Sequence, residues 1–328
     1  MNYPRIVSSI ALALGLVSCA SVQDAPTFPT QPVKLIVPYP QGNVADVFHR
    51  IMADKLAQMW GQPVTVENQP GMPGVVAAAR ANADGHTLLA HSISYAVDPG
   101  FYTNSPYDPE KDFTALAPVA RQPFALVVSP SLGVKSVAEL VSLAKNKPGQ
   151  LKFGSLGVRS QIYLVAEQFK KQTGIDVANV SFKSLAEANA AVAKNEVAFW
   201  FPPVAGAVPG VKEGKLVVLA VTADKRAPML PQAPTMAEAG IGNMEIAAWF
   251  GLWSPAGVAG GVANKIASDV AKAVEAPDVR EKFAKAGAEV LQMSPRQFAS
   301  FVREEIAVSR RQVKELGIQP TPYAPPKQ

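Results

Sequence analysis

The sequence predicts an α/β fold of mixed, mostly parallel sheets flanked by helices. Three observations lead there. Short β-branched runs alternate with longer amphipathic stretches, Gly/Pro loops separate them, and the length allows about two such units. The chain has 328 residues, against a prior of roughly 100–200 per domain. An apolar fraction of 48% is enough to fill two cores.

The elements follow in order. Val33–Val37 reads as a strand and 47–60 as a helix, with Val47, Ile51, Met52, Leu56 and Met59 on its apolar face. Val64–Glu67 is a second strand, ended by the turn Asn68-Gln69-Pro70-Gly71. A small-residue helix spans 75–83, and Thr87–Ala90 is a third strand. Strands at 124–128, 151–154, 177–182, 197–201 and 216–222 then alternate with helices at 137–146, 161–173 and 186–195. Trp249–Trp253 is a further strand. The remaining residues read as helical, with Pro295 near a helix start and Gly317 beyond its end. No linker divides the two units, so the chain is expected to cross between them more than once, at about 122–128 and 217–223.

The N-terminus has the layout of an export signal. Arg5 supplies positive charge, and residues 6–17 are apolar apart from Ser8, Ser9 and Gly15. No later stretch reaches about 18 uninterrupted apolar residues, so the mature chain is expected to be soluble. Cys19 is the only cysteine, which excludes an intrachain disulfide. Leu16-Val17-Ser18-Cys19 resembles a lipobox, with Cys19 as the lipidated residue; ordinary cleavage after Ala20 is the alternative. Residues 19–30 then serve as a tether, and the proline-rich residues 321–328 are expected to be disordered.

The net charge is +5, but the basic residues are interleaved with acids, which excludes a nucleic-acid patch. Phosphate-loop, dinucleotide, nucleophile-elbow and zinc-protease motifs are absent. The histidines His49, His86 and His91 lack metal spacing. Neither a cofactor, a metal nor enzymatic activity is expected.

Ligands of α/β sheets bind at loops beyond the carboxyl ends of strands. Three such loops stand out. In Tyr39-Pro40-Gln41-Gly42-Asn43-Val44-Ala45-Asp46, unpaired amides at a helix N-terminus suit an anion. Asn43 reads there as the N-cap, with Asp46 closing a capping box or meeting a ligand amine or hydroxyl. In His91-Ser92-Ile93-Ser94-Tyr95, Ser92 and Ser94 offer hydroxyls or simply end the strand. In Ser155-Leu156-Gly157-Val158-Arg159-Ser160, Arg159 either clamps a carboxylate or lies in solvent.

These loops also carry a resemblance. VKLIVPYPQGNVAD (33–46) resembles the opening of the tripartite tricarboxylate transporter receptor, or Bug, family. Colinear matches continue through Gly61–Val64, Glu67–Gly71, Asp84–Leu89, Tyr107–Pro109 and Lys111–Phe113. Pro234–Gly240, Trp249–Leu252 and Pro255–Gly257 complete a set that covers nearly all of the mature chain.

The resemblance implies a two-lobed type II periplasmic binding-protein fold, with one lobe made from both chain ends. That gives residues 31–123 and 222–320 to the first lobe and 124–221 to the second. It implies a monomeric extracytoplasmic receptor that closes on a small carboxylate and docks membrane transporter components. A sensor domain is the alternative partner, and an enzyme on the same scaffold is the third reading. The positions carried over as ligand-facing are Tyr39, Gly42, Ala45, Asp46, Ser92, Ser155, Gly157, Ser160 and Lys183, with Trp249 as a wall. Five positions depart from the family pattern. Asn43 and Arg159 replace loop glycines, Tyr163 a histidine, Ser184 a glycine and Ala198 an acid. These departures imply a changed ligand, bulkier or more anionic.

Overall fold

The computed structural model describes residues 28–325. The export signal, Cys19 and most of the tether lie outside the described residues. The first run of elements is β1 (Val33–Val37), α1 (Val44–Trp60), β2 (Val64–Asn68), α2 (Met72–Ala79), β3 (Thr87–Ser92), α3 (Ser94–Val97) and β4 (Phe113–Pro123). The second is β5 (Ala125–Val128), α4 (Val137–Asn146), β6 (Lys152–Ser155), α5 (Gln161–Thr173), β7 (Ala178–Ser181), α6 (Leu185–Ala193), β8 (Phe199–Trp200), α7 (Val204–Lys212) and β9 (Val217–Val221). The chain then returns through β10 (Ala247–Pro255), α8 (Gly260–Glu275), α9 (Pro277–Lys285), β11 (Glu289–Val290) and α10 (Pro295–Glu315).

Two sheets result, in the orders β11-β4-β10-β3-β1-β2 and β7-β6-β8-β5-β9. Both are mixed. β1 pairs in parallel with β2 and β3, and β6 with β7 and β8. β10 runs antiparallel to β3 and β4, and β5 antiparallel to β8 and β9. The parallel strands are the ones joined by helices, because a parallel return needs a crossover. β1 is buried at Val33, Leu35, Ile36 and Val37, as a strand covered on both faces must be.

Several expectations change in detail. The buried face of α1 is Ala45, Phe48, His49, Met52, Ala53 and Leu56, while Val47 and Met59 point outward. The true stripe lies one residue from the expected one at its start, because His49 is buried between the Ala45 and Gly251 carbonyls. β4 is missing from the sequence reading because its alanines and prolines hide it. Pro118 is accommodated at a register shift against β10, where a ladder donor is dispensable. The helix α7 is hidden in the same way by Pro209.

The first crossing occurs at Phe124, between β4 and β5. The second lies later than expected. Residues 222–246, given to the first lobe by the sequence, pack Ala223, Ala227, Leu230, Ala233, Met236 and Met244 into the core of the second sheet. The tail also differs. Thr321 donates its amide to the Phe101 carbonyl and accepts the Thr103 amide, and Tyr323 donates its amide to Asn104 Oδ1. Residues 321–325, expected to be disordered, are therefore held in an extended path along the first lobe. Among the described residues no helix is long and apolar enough to cross a membrane.

Candidate ligand-binding site

The loop after β1 is shaped by its own residues. Gly42 has φ +81°, a left-handed turn that glycine adopts without a Cβ penalty. Asn43 caps α1, its Oδ1 accepting the Ala45 amide at 2.9 Å. Asp46 is 1% exposed and accepts from Gly42 N at 2.8 Å, Arg50 Nε at 3.0 Å and Asn68 Nδ2 at 2.8 Å. The expected capping box does not form: Asn43 Oδ1 takes the Ala45 amide, and the Asp46 carboxylate takes that of Gly42. Arg50 also donates to Asn68 Oδ1, and Asn68 donates to the Tyr39 carbonyl. Burial raises the Asp46 pKa, but the bonds from Arg50, Asn68 and Gly42 outweigh it and hold the carboxyl below its ordinary 3.8. Asp46 thus has the bonded, structural role of the two readings, and its carboxylate is fully engaged within the loop.

The loop after β3 meets the first. Tyr39 Oη lies 2.6 Å from Ser92 Oγ and 3.1 Å from His91 Nδ1. The Ser92 amide donates to the same Nδ1 at 2.8 Å, so that nitrogen is an acceptor. Burial, with the nearby His49, pushes His91 down to about 3, and burial also raises Tyr39. Both are neutral at physiological pH. Ser92 Oγ also accepts the Ser94 amide. Ser92 and His91 therefore do not form a nucleophile–base pair, and no third member joins them among the described residues.

The loop after β6 belongs to the second sheet. Ser155 is fully buried, and its Oγ accepts the Gly157 amide at 3.1 Å. Gly157 has φ +99°. Ser160 caps α5, donating to the Gly157 carbonyl and accepting the Tyr163 amide. Both serines shape the loop. Arg159 turns away from a ligand role: Nη2 donates to Thr321 Oγ1 at 2.8 Å and Nη1 to Tyr102 Oη at 3.3 Å. Its guanidinium also sits 5.1 Å from the Tyr102 ring centre. Lys183 is exposed, and its backbone amide donates to Glu187.

Trp249 adjoins the second loop, its carbonyl accepting the Ile93 amide at 2.8 Å. It is 2% exposed, and its indole N–H donates to Glu305 Oε2 at 2.8 Å. It walls a cavity of about 400 Å³ together with Ile93, Gln161, Leu164 and Ala247. The other departures have local uses. Ser184 caps α6, Tyr163 packs on Phe153, and Ala198 is buried in the second core.

The sequence reading missed Asn68 and Arg50, which fasten the first loop, and Tyr102 and Thr321, which receive Arg159. An acid at 46 with a base four positions on was a usable signal for Arg50. Nothing in the local pattern points to the others.

Two α/β lobes joined by crossing strands, with shaped loops at the strand ends of each, define a solute-binding protein of the periplasmic type. Residues 48–318 match the model of the tripartite tricarboxylate transporter family receptor, and the chain belongs to that family. BugT of Bordetella pertussis is 30% identical over 322 residues, covering 97% of this chain and 99% of that one. A Rhodopseudomonas palustris protein solved with adipate is 32% identical, with a TM-score of 0.76 over 89% of this chain and 99% of that chain. MatC from Rhodopseudomonas palustris, solved with bound malate, is 28% identical, with a TM-score of 0.71 over 87% and 100%.

Two outcomes follow. Asp46→Asn should cost about 2 kcal/mol in urea unfolding at neutral pH, because charged hydrogen bonds are lost. The lowered folded pKa means Asp46 stabilises above 3.8 and loses that effect as pH falls. The gap between wild type and variant should therefore narrow below that pH; a constant gap would refute the assignment. Arg159→Gly should speed amide exchange at Thr321 and Tyr323 while costing about 1 kcal/mol, as for the loss of solvent-exposed hydrogen bonds. Unchanged exchange would show that Arg159 does not hold the tail.

Proposed function

We propose that the chain captures a small carboxylate between its lobes and presents the closed form to membrane transporter components. The observation that carries this reading is the pair of strand-end loops, 39–46 and 155–160, each pinned by its own side chains ahead of a helix. Such loops bring little ordering cost to ligand capture. The relatives solved with adipate and malate supply the ligand class. The ligand-facing set is Tyr39, Ser92, Ser94, Gly157 and Lys183; Asp46, Asn43, Ser155 and Ser160 build the loops that present it. The lobes are residues 28–123 with 247–325, and residues 124–246. The protein acts as a monomeric receptor rather than an enzyme, a reading supported by the receptor family to which it belongs.

A thermal-shift panel of mono-, di- and tricarboxylates tests the receptor reading. At a hundredfold excess over Kd, a true ligand should add about 2.7 kcal/mol of stability. A flat response across the panel would refute it. The export signal and Cys19 favour a lipid-anchored periplasmic protein. Cys19→Ala should then move the protein from the membrane to the soluble fraction, and a wild type found only in the soluble fraction would favour simple cleavage.

A further inference from the structure

We propose that the cavity walled by Trp249 and Glu305 is a second ligand site, which takes an amphipathic organic amine. This goes beyond the receptor reading and does not rest on it.

Two helix faces build the cavity. On α5 of the second lobe, Gln161, Leu164, Val165 and Gln168 line it at helical spacing. On α10 of the first lobe, Phe301, Glu305, Val308 and Gln312 do the same. The start of β10 completes the wall with Ala247 and Trp249. The volume of about 400 Å³ suits a small molecule, for which roughly 300–1,000 Å³ is usual. No residue of the loops 39–46 and 155–160 lines it. It is therefore separate from the loops that carry the carboxylate reading.

The charges in the wall point to a cation. Glu305 is half-buried, and its Oε2 accepts the Trp249 indole N–H at 2.8 Å. Its Oε1 meets no donor among the described residues, and no basic side chain among them pairs with this carboxylate. Glu245, also in the wall, has no ion-pair partner among them either. Arg121 is the basic residue of the wall, and its charge is already engaged. Its Nη2 donates to Asp224 at 2.7 Å and to Glu289 at 2.9 Å. The lining thus holds two unpaired acids and no free base. A carboxylate drawn out of water without a counter-ion is costly, and burial raises the Glu305 pKa in spite of the bond from Trp249. A ligand ammonium beside Oε1 supplies the missing charge.

The rest of the wall fits the same ligand. Trp249 and Phe301 meet edge to face, with 5.2 Å between ring centres. Aromatic faces attract an ammonium, and their apolar bodies take up the carbon frame that carries it. Leu164 and Val308 extend that apolar surface from the two lobes. The carboxamide oxygens of Gln168 and Gln312 are acceptors for the remaining ammonium protons. A carboxylate ligand, by contrast, would face Glu305 and Glu245 with no free cation to offset them.

Isothermal titration of the mature protein tests this with tryptamine and its neutral analogue tryptophol, which share a ring and differ in the terminal group. Tryptamine should bind about tenfold or more tightly than tryptophol at neutral pH. Glu305→Gln keeps an acceptor for the Trp249 indole; it should weaken tryptamine about tenfold and leave tryptophol unchanged. Gln312→Glu adds an acid to the same helix face and should tighten tryptamine about threefold. The second variant decides the matter if the first disturbs folding, and the wild-type comparison needs neither. Tryptophol bound as tightly as tryptamine, tryptamine affinity unmoved by both variants, or no binding of tryptamine would each overturn the proposal. The carboxylate panel is unaffected by any of these results, so the receptor reading is judged separately.

Discussion

The buried carboxylate of Asp46 is the constraint on which the first lobe's loop depends. It ties Gly42 at the turn, Arg50 one helical turn on, and Asn68 at the end of β2. Asn68 passes the restraint on to the Tyr39 carbonyl, and Tyr39 then reaches Ser92 and His91 at the end of β3. Three neighbouring strands therefore present one rigid edge. The desolvation cost of burying an acid is met by hydrogen bonds from three separate segments, which is why the arrangement is stable only when complete.

A second network joins the lobes. Thr222 bonds the backbone of Phe124 in the first crossing and of Ile246 near the second. One side chain thus links both crossing segments. Away from the hinge, Arg159 clasps Tyr102 and Thr321, and Leu164 packs with Val97, Phe101 and Val313. These contacts join the lobes away from the crossing strands, and the C-terminal tail takes part in them through Thr321.

The strand-end loops and the cavity walled by Trp249 differ in chemistry. The loops offer hydroxyls and backbone groups at Tyr39, Ser92 and Gly157. The cavity carries Trp249 bonded to Glu305, whose pKa burial raises despite that bond. A tryptophan conspicuous in sequence thus walls a cavity with residues of both lobes.

The alternation of strands and helices, the cap at Asn43 and the family were all legible from the residues in linear order. Each depends on residues a few positions apart, or on the succession of short motifs along the chain. β4 and α7 were not legible, because prolines disguise their pattern. The partners of the polar side chains were settled in three dimensions: Asp46 with Asn68, Arg159 with Thr321, Trp249 with Glu305. Each pair is separated by many residues, and its geometry depends on how distant segments pack. The local pattern around Arg159 fits a ligand clamp and a tail clasp equally well, and only the position of Thr321 in space separates them.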